Sequence, residues 1–175
     1  MKNIVLVGFM GTGKTKVAKI LSARLNMKYV STDDLIEKKE CISIQEIFSK
    51  KGEGHFRKVE KDVIKEASLM KDVVIDAGGG VVIDPENVKS LKKSGIVVCL
   101  WAEPGVIIER TKKYTHRPLL NVADPLGKIK ELLEFRKPFY ERADYHIRTS
   151  GMTVEKTVDE IEEVIKNDRR DRQTA

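Results

Sequence analysis

Gly8-Phe9-Met10-Gly11-Thr12-Gly13-Lys14-Thr15 combines residue types and a spacing that suit the holding of a polyphosphate. Glycines let a loop curl until successive backbone N–H groups face one anion. Lys14 follows where its ammonium can reach the β- and γ-phosphates, and the Thr15 hydroxyl suits Mg2+. The stretch fits G-x-x-x-x-G-K-[ST]. It lies where that pattern has meaning, between the apolar run 3–8 and an amphipathic segment that begins at residue 14. A helix starting there adds the positive end of its dipole. An ordinary glycine turn leading into a helix is the plainer alternative. Alone, the motif does not choose among an ATPase, a GTPase and a small-molecule kinase, though no [NT]KxD-type guanine signature stands out downstream.

Other residues have types that could complete a transfer reaction. Asp33 follows the apolar stretch ending at Val30, where a carboxylate can accept a hydrogen bond from a hydroxyl and orient it; capping the next helix is its structural alternative. Arg57 and Arg136 carry planar forks that can grip a carboxylate through two parallel hydrogen bonds. Surface ion pairs are the common fate of helical arginines, and spacing alone favours that fate here. Glu60 lies three residues after Arg57, on the same side of a helix, and could hold it in place. Gly78-Gly79-Gly80 follows the run ending at Asp76, and small residues at a strand end let a ligand approach the backbone. Asp76 stands three residues before Gly79, in a Walker B-like arrangement. The polar segment around Lys112 to Leu120 is a candidate lid.

Apolar runs at 3–8, 28–32, 72–76, 95–101 and 144–148 read as strands. Segments 14–26, 33–40, 43–50, 54–69, 105–112, 124–142 and 153–166 read as helices. Another begins at Asp84-Pro85, with Asp as N-cap and Pro in the first turn. Short apolar strands alternating with helices predict an α/β fold: three layers, α/β/α, around a five-stranded parallel sheet. Loops at the carboxyl edge of such a sheet bind ligands. With 175 residues the chain predicts a single domain, 1–175, with a frayed polar tail over about 167–175. The net charge of +6 suits an anionic ligand such as a nucleotide, and nucleic acid equally. The Lys-Lys pairs are scattered, however, and form no single basic stripe with an aromatic platform, so nucleic acid is not the expected partner. Cys41 and Cys99 sit far apart with no zinc spacing, which predicts a reduced, cytoplasmic protein. No run approaches the roughly 18 apolar residues of a membrane span. Trp101 reads as a packing residue, and His55, His116 and His146 as neutral surface or boundary histidines.

Taken in order, the phosphate loop, Thr32-Asp33, Phe56-Arg57-x-x-Glu60, the triple glycine, Arg117-Pro118-Leu119-Leu120 and Arg136-x-Pro138-x-Tyr140 resemble the shikimate kinase family over roughly residues 3–165. The resemblance implies a P-loop kinase fold and ATP-dependent phosphorylation of the 3-hydroxyl of shikimate, giving shikimate 3-phosphate and ADP on the route to chorismate. It implies a monomer, with ATP and Mg2+ as cofactors. Gly11, Thr12, Gly13, Lys14, Thr15 and Lys16 then hold the nucleotide, with Arg110 near adenine and Arg117 over the phosphates from a lid at about 112–124. Asp33, Arg57, Gly79, Gly80 and Arg136 bind shikimate, and Asp33, Lys14 and Arg117 carry the chemistry. Thr15 serves the metal. A kinase for another small hydroxy acid should lack the combination of Arg57, triple glycine and Arg136, and a regulatory nucleotide-binding module would phosphorylate no small acid. The chain departs from the family at two places. The family pattern Asp-x-Asp reads Ser31-Thr32-Asp33 here, so Asp76 is expected to supply the missing acidic contact to the metal. Thr149-Ser150-Gly151-Met152-Thr153 occupies the adenine-loop region without the proline and arginines found in some members.

Overall fold

The computed structural model describes residues 2–112 and 122–173. Five strands form one parallel sheet: β1 (Asn3–Val7), β2 (Lys28–Ser31), β3 (Val73–Asp76), β4 (Gly95–Trp101) and β5 (Tyr145–Arg148), in the order β2-β3-β1-β4-β5. Seven α-helices among the described residues connect or flank them: α1 (Lys14–Arg24), α2 (Thr32–Glu40), α3 (Ile44–Leu69), α4 (Pro85–Ser94), α5 (Pro104–Thr111), α6 (Pro125–Tyr140) and α7 (Val154–Gln173). The three-layer expectation is met.

Side-chain alternation along the central strands separates two cores. Val5 and Val7 of β1 join Ile75, Val97 and Cys99 on one face, under Ile64 of α3, Leu91 of α4 and Leu133 of α6. Ile4 and Leu6 join Val74, Val98 and Leu100 on the other, under Leu21 of α1 and Ile161 of α7. Burial on both sides is why these strands are continuous apolar runs; each fully buried Ile, Leu or Val contributes about 1.5–3 kcal/mol. Handedness assigns the faces. The step from β1 to β2 runs one way across the sheet, and every later step runs the other way. Right-handed crossovers therefore put α1 on one face and α3, α4 and α6 on the opposite one. The chain lies on opposite sides of β1 before and after α4, which opens a crevice at the carboxyl ends of β1 and β3.

A third cluster, Ile36, Ile47, Phe56, Val59 and Val63, ties α2 to α3 beyond the sheet edge. The two helices expected over 43–50 and 54–69 are both present: grouped here as α3, they meet at Gly52, whose φ of 80° and ψ of 168° are not helical. Ser43 opens α3 with a reciprocal capping box to Glu46. Two expectations are corrected. The last helix does not end near 166 but continues to Gln173, and Asp168 in the supposed tail is buried, accepting a hydrogen bond from the Tyr145 hydroxyl at 3.3 Å. Trp101 is not packed away; it ends β4 at the rim with 37% of its surface exposed. Among the described residues no helix is long and apolar enough to cross a membrane.

Candidate active site

The phosphate loop joins β1 to α1. Gly11 and Gly13 have φ of 78° and 96°, the left-handed region that glycine enters without strain. A Cβ at Gly8 would drive into the Leu100 carbonyl oxygen, so this glycine lets the loop leave the sheet hard against β4. Gly13 is the N-cap of α1 and supplies no side-chain cap, which leaves the first amides of the helix to a ligand. The Lys14 ammonium folds back on the loop and donates to the carbonyls of Gly8 at 2.8 Å and Phe9 at 3.1 Å. Thr12 is buried and donates to the Phe9 carbonyl, while Lys16 points outward, exposed.

Asp76 ends β3 on the same sheet face as α1. The Thr15 hydroxyl donates to its Oδ2 at 2.6 Å, and the Tyr29 hydroxyl donates to the same oxygen at 3.2 Å. A hydroxyl and a carboxylate side by side under the loop form the oxygen donor set that Mg2+ prefers. The described residues contain no cluster of three or more His, Cys, Asp or Glu, so a cation here would be held together with nucleotide phosphates, the usual mode for Mg2+. Burial and the nearby Asp76 charge push the Tyr29 phenol up to about 12, so its hydroxyl is a donor.

The triple glycine brings the remaining predicted residues together, and each glycine has its own neighbour. A Cβ on Gly78 would lie 2.9 Å from Asp33 Oδ1 and 3.6 Å from Glu60 Oε1. On Gly79 it would meet the Gly8 carbonyl oxygen at 3.3 Å and Arg136 Nη1 at 3.6 Å. On Gly80 it would strike Arg57 Nη1 at 2.5 Å. The turn is thus a common floor for one carboxylate and two guanidinium groups, pressed against the phosphate loop. Thr32 pins it: its hydroxyl accepts from Gly78 N–H at 3.0 Å. Tyr140 does so from the other side, donating to the Gly79 carbonyl at 2.7 Å.

Asp33 does not cap α2; Ser31 does, accepting from Asp34 N–H at 3.1 Å, and this frees the Asp33 carboxylate for the crevice. Asp33 keeps an open face to solvent, yet the protein mass around it raises its carboxyl pKa. Lys14 draws it down, and Asp76 pushes it up. Glu60 holds Arg57 at 2.8 Å, as its spacing suggested, and Glu53 binds the same fork at 3.1 Å. Burial opposes the Arg57 charge, but Glu60 and Glu53 hold its pKa above the usual value. Arg136 is buried on α6, its guanidinium 5.4 Å from the centre of the Phe9 ring. Nη1 reaches the Gly79 carbonyl only at 3.4 Å, and Nε is the one buried side-chain polar atom among the described residues that has no partner. An orphaned guanidinium N–H costs about 1–3 kcal/mol or more.

The shikimate kinase family model matches residues 10–166. The chain belongs to the shikimate kinase family. It is 51% identical to a shikimate kinase of Thermodesulfovibrio yellowstonii, over 92% of this chain and 93% of that one. It is 49% identical to one of Caldanaerobacter subterraneus, over 92% and 94%. A solved shikimate kinase from Acinetobacter baumannii, in complex with shikimate, matches with a TM-score of 0.91 at 37% identity, over 96% of this chain and 94% of that one. The Aquifex aeolicus enzyme matches at 0.84 and 36%, over 95% and 98%.

For this shikimate kinase family member the fold brings Asp33, Arg57, Gly79, Gly80 and Arg136 to one crevice beside the phosphate loop. Arg110 lies at the nucleotide side as a strut. It donates to the Thr149 hydroxyl at 3.0 Å, to the Thr149 carbonyl at 2.9 Å and to the Gly11 carbonyl at 3.4 Å. Thr149, buried in the expected adenine-loop region, donates in turn to the Thr12 carbonyl at 3.1 Å. Arg117, His116 and the lid core at 113–121 lie outside the described residues. Sequence reasoning placed Thr149 in the adenine-loop region and Phe9 in the phosphate loop but not their contacts with Arg110 and Arg136, and it missed Tyr29, which sits in an apolar run that core packing alone accounts for.

Proposed function

We propose that this chain is an ATP-dependent shikimate kinase that transfers the γ-phosphoryl group of ATP to the 3-hydroxyl of shikimate. One observation carries the site assignment: Asp33, Arg57 and Arg136 converge on Gly78-Gly79-Gly80 against the phosphate loop, with a buried Arg136 N–H awaiting an acceptor. The loop amides of Gly11 to Lys16 bind the phosphates. Lys14 exchanges its carbonyl partners for the β- and γ-phosphate oxygens and neutralises charge there. Thr15 and Asp76 hold Mg2+, which when bound supplies charge neutralisation at those phosphates. Arg57 and Arg136 grip the shikimate carboxylate in two forks and so fix the orientation of the ring. Gly79 and Gly80 let the substrate lie on the backbone. Asp33 accepts the hydrogen bond of the 3-hydroxyl, aims its oxygen at the γ-phosphorus and takes up its proton as the bond forms. Arg117 is assigned, on the resemblance alone, to cover the phosphates, where closure of the segment around it would exclude water and limit wasteful hydrolysis. We read the protein as a cytoplasmic monomer.

The test is ADP release in a coupled assay, with Mg2+-ATP present and shikimate added or withheld. Shikimate-dependent turnover that disappears in Lys14→Ala supports the whole scheme. Equal ADP release with and without shikimate overturns the substrate assignment, and turnover unchanged in Lys14→Ala removes that residue from the mechanism.

A further inference from the structure

On the reading of Asp76 as the acidic contact to the metal, that contact stands one strand aside from position 31, and Tyr29, a residue outside every motif, donates to it. Ser31 and Asp76 are register partners on adjacent parallel strands, as are Tyr29 and Val74. Residues two apart share a sheet face, so Tyr29, Ser31, Val74 and Asp76 all face α1. From there the Tyr29 ring spans the diagonal to Asp76. The ring packs at the margin of the α1-side core, Lys19 of α1 places its ammonium 5.5 Å from the ring centre, and the Ser31 hydroxyl also meets the Tyr29 hydroxyl. The hydroxyl ends 3.2 Å from Asp76 Oδ2, the oxygen that also accepts from Thr15. Both donors meet on Oδ2, and no hydrogen bond reaches Oδ1 among the described residues.

We propose that Tyr29 is a positioning residue for the magnesium-nucleotide: by holding Oδ2 it sets the rotation of the Asp76 carboxylate beside Thr15, so that Oδ1 faces the hydrated cation. This deepens the proposed function and rests on the reading of Asp76 as the acidic contact. Thr15 from α1 and Tyr29 from β2 donate to the same oxygen and together restrict the rotation of the Asp76 carboxylate.

Tyr29→Phe isolates the hydroxyl, because it keeps the ring, the packing and the Lys19 contact. The measurement is calorimetric ADP binding at a series of Mg2+ concentrations, on the wild type, Tyr29→Phe, Asp76→Asn and the double variant, without turnover. Tyr29→Phe is expected to bind ADP normally in the absence of Mg2+ and to need several-fold more Mg2+ for half of the metal-dependent tightening. In the Asp76→Asn background the same change should add nothing, since the amide can still accept from Tyr29 but no longer carries the charge that the brace would aim at the cation. The metal-free affinity of each preparation is the internal standard, so a loss of folded protein cannot imitate the effect. If Asp76→Asn shifts the Mg2+ response and Tyr29→Phe does not, Tyr29 is only a satisfied phenol and the proposal fails while Asp76 keeps its role. Tyr29→Phe effects of equal size in both backgrounds overturn it too. If Asp76→Asn leaves the response unchanged, the reading of Asp76 fails and the proposal falls with it.

Discussion

At the scale of single residues, the site is a set of charges whose neighbours determine their use. Arg136 is buried with an Nε–H that finds no acceptor, and it is proposed to grip the shikimate carboxylate. Arg136→Ala is expected to weaken shikimate binding by about 2–5 kcal/mol while ATP binding stays nearly as it was. Separate KM values for the two substrates check this, and equal losses would point to a folding defect instead. Arg136→Lys should be no adequate rescue, since an ammonium cannot fork. Asp33 makes a pH prediction. Burial raises its pKa, Lys14 only partly offsets this, and the base must be ionised to accept a proton. The rate therefore falls as pH drops through that raised pKa, and the acid limb of kcat/KM lies above the ordinary carboxylate range. Asp33→Asn should abolish this limb and lower kcat by roughly 10²–10⁴. A limb at the ordinary carboxylate position would break the assignment.

The elements place these residues, and one of them does so through a bend. Gly52 sits in α3 at φ 80° and ψ 168°, a region open essentially to glycine alone, and a Cβ there would meet nothing within 4 Å. Any penalty for Gly52→Ala is therefore backbone strain, about 1–3 kcal/mol, and not a clash. The melting temperature should drop by about 2–4 °C for each kcal/mol. Because Arg57 rides on α3 five residues after the bend, shikimate affinity should fall further than nucleotide affinity. The polar stretch Lys50-Lys51-Gly52-Glu53-Gly54 reads in the sequence as a break. The break is there, at Gly52, and the two helical halves stay together because Ile47 before it and Phe56 after it share one cluster. The N-cap at Asp84 and the strands at 72–76 and 95–101 were readable for a simpler reason. Capping chemistry and burial on both faces act locally, so the residues themselves announce them. Tyr29 and Thr149 were not readable, since their partners are set by strand register and by the return of β5 beside the phosphate loop.

Over the whole molecule, the direction of the chain across the sheet puts nucleotide and substrate machinery on different sides of one crevice. α1, with Thr15, lies on one face. α3 and α6, with Arg57 and Arg136, lie on the other, and the turn after β3 joins them. This arrangement was legible in outline, because right-handed crossovers leave little choice once the strand order is known. The extent of α7 was not, because the polar residues from 166 onward look like a fraying end while Asp168 is buried against β5. Truncation after residue 166 is expected to cost about 1 kcal/mol or somewhat more, through the lost Tyr145–Asp168 hydrogen bond and helix packing. It should leave both KM values unchanged. Thermal melts beside steady-state kinetics check this, and a kinetic effect would tie the last helix to the site.

Ser31 and Asp76 are register partners on neighbouring strands, so the acidic contact proposed for Asp76 is transposable. Aspartate caps a helix about as well as serine, so Ser31→Asp would keep the start of α2 intact. Asp76→Ser alone should therefore blunt the enzyme's response to Mg2+, and the reciprocal exchange Ser31→Asp with Asp76→Ser should restore it. A metal titration of the two variants would read this directly. Relatives of this chain could then pass between the two layouts in two substitutions without altering a strand, a helix or a loop length.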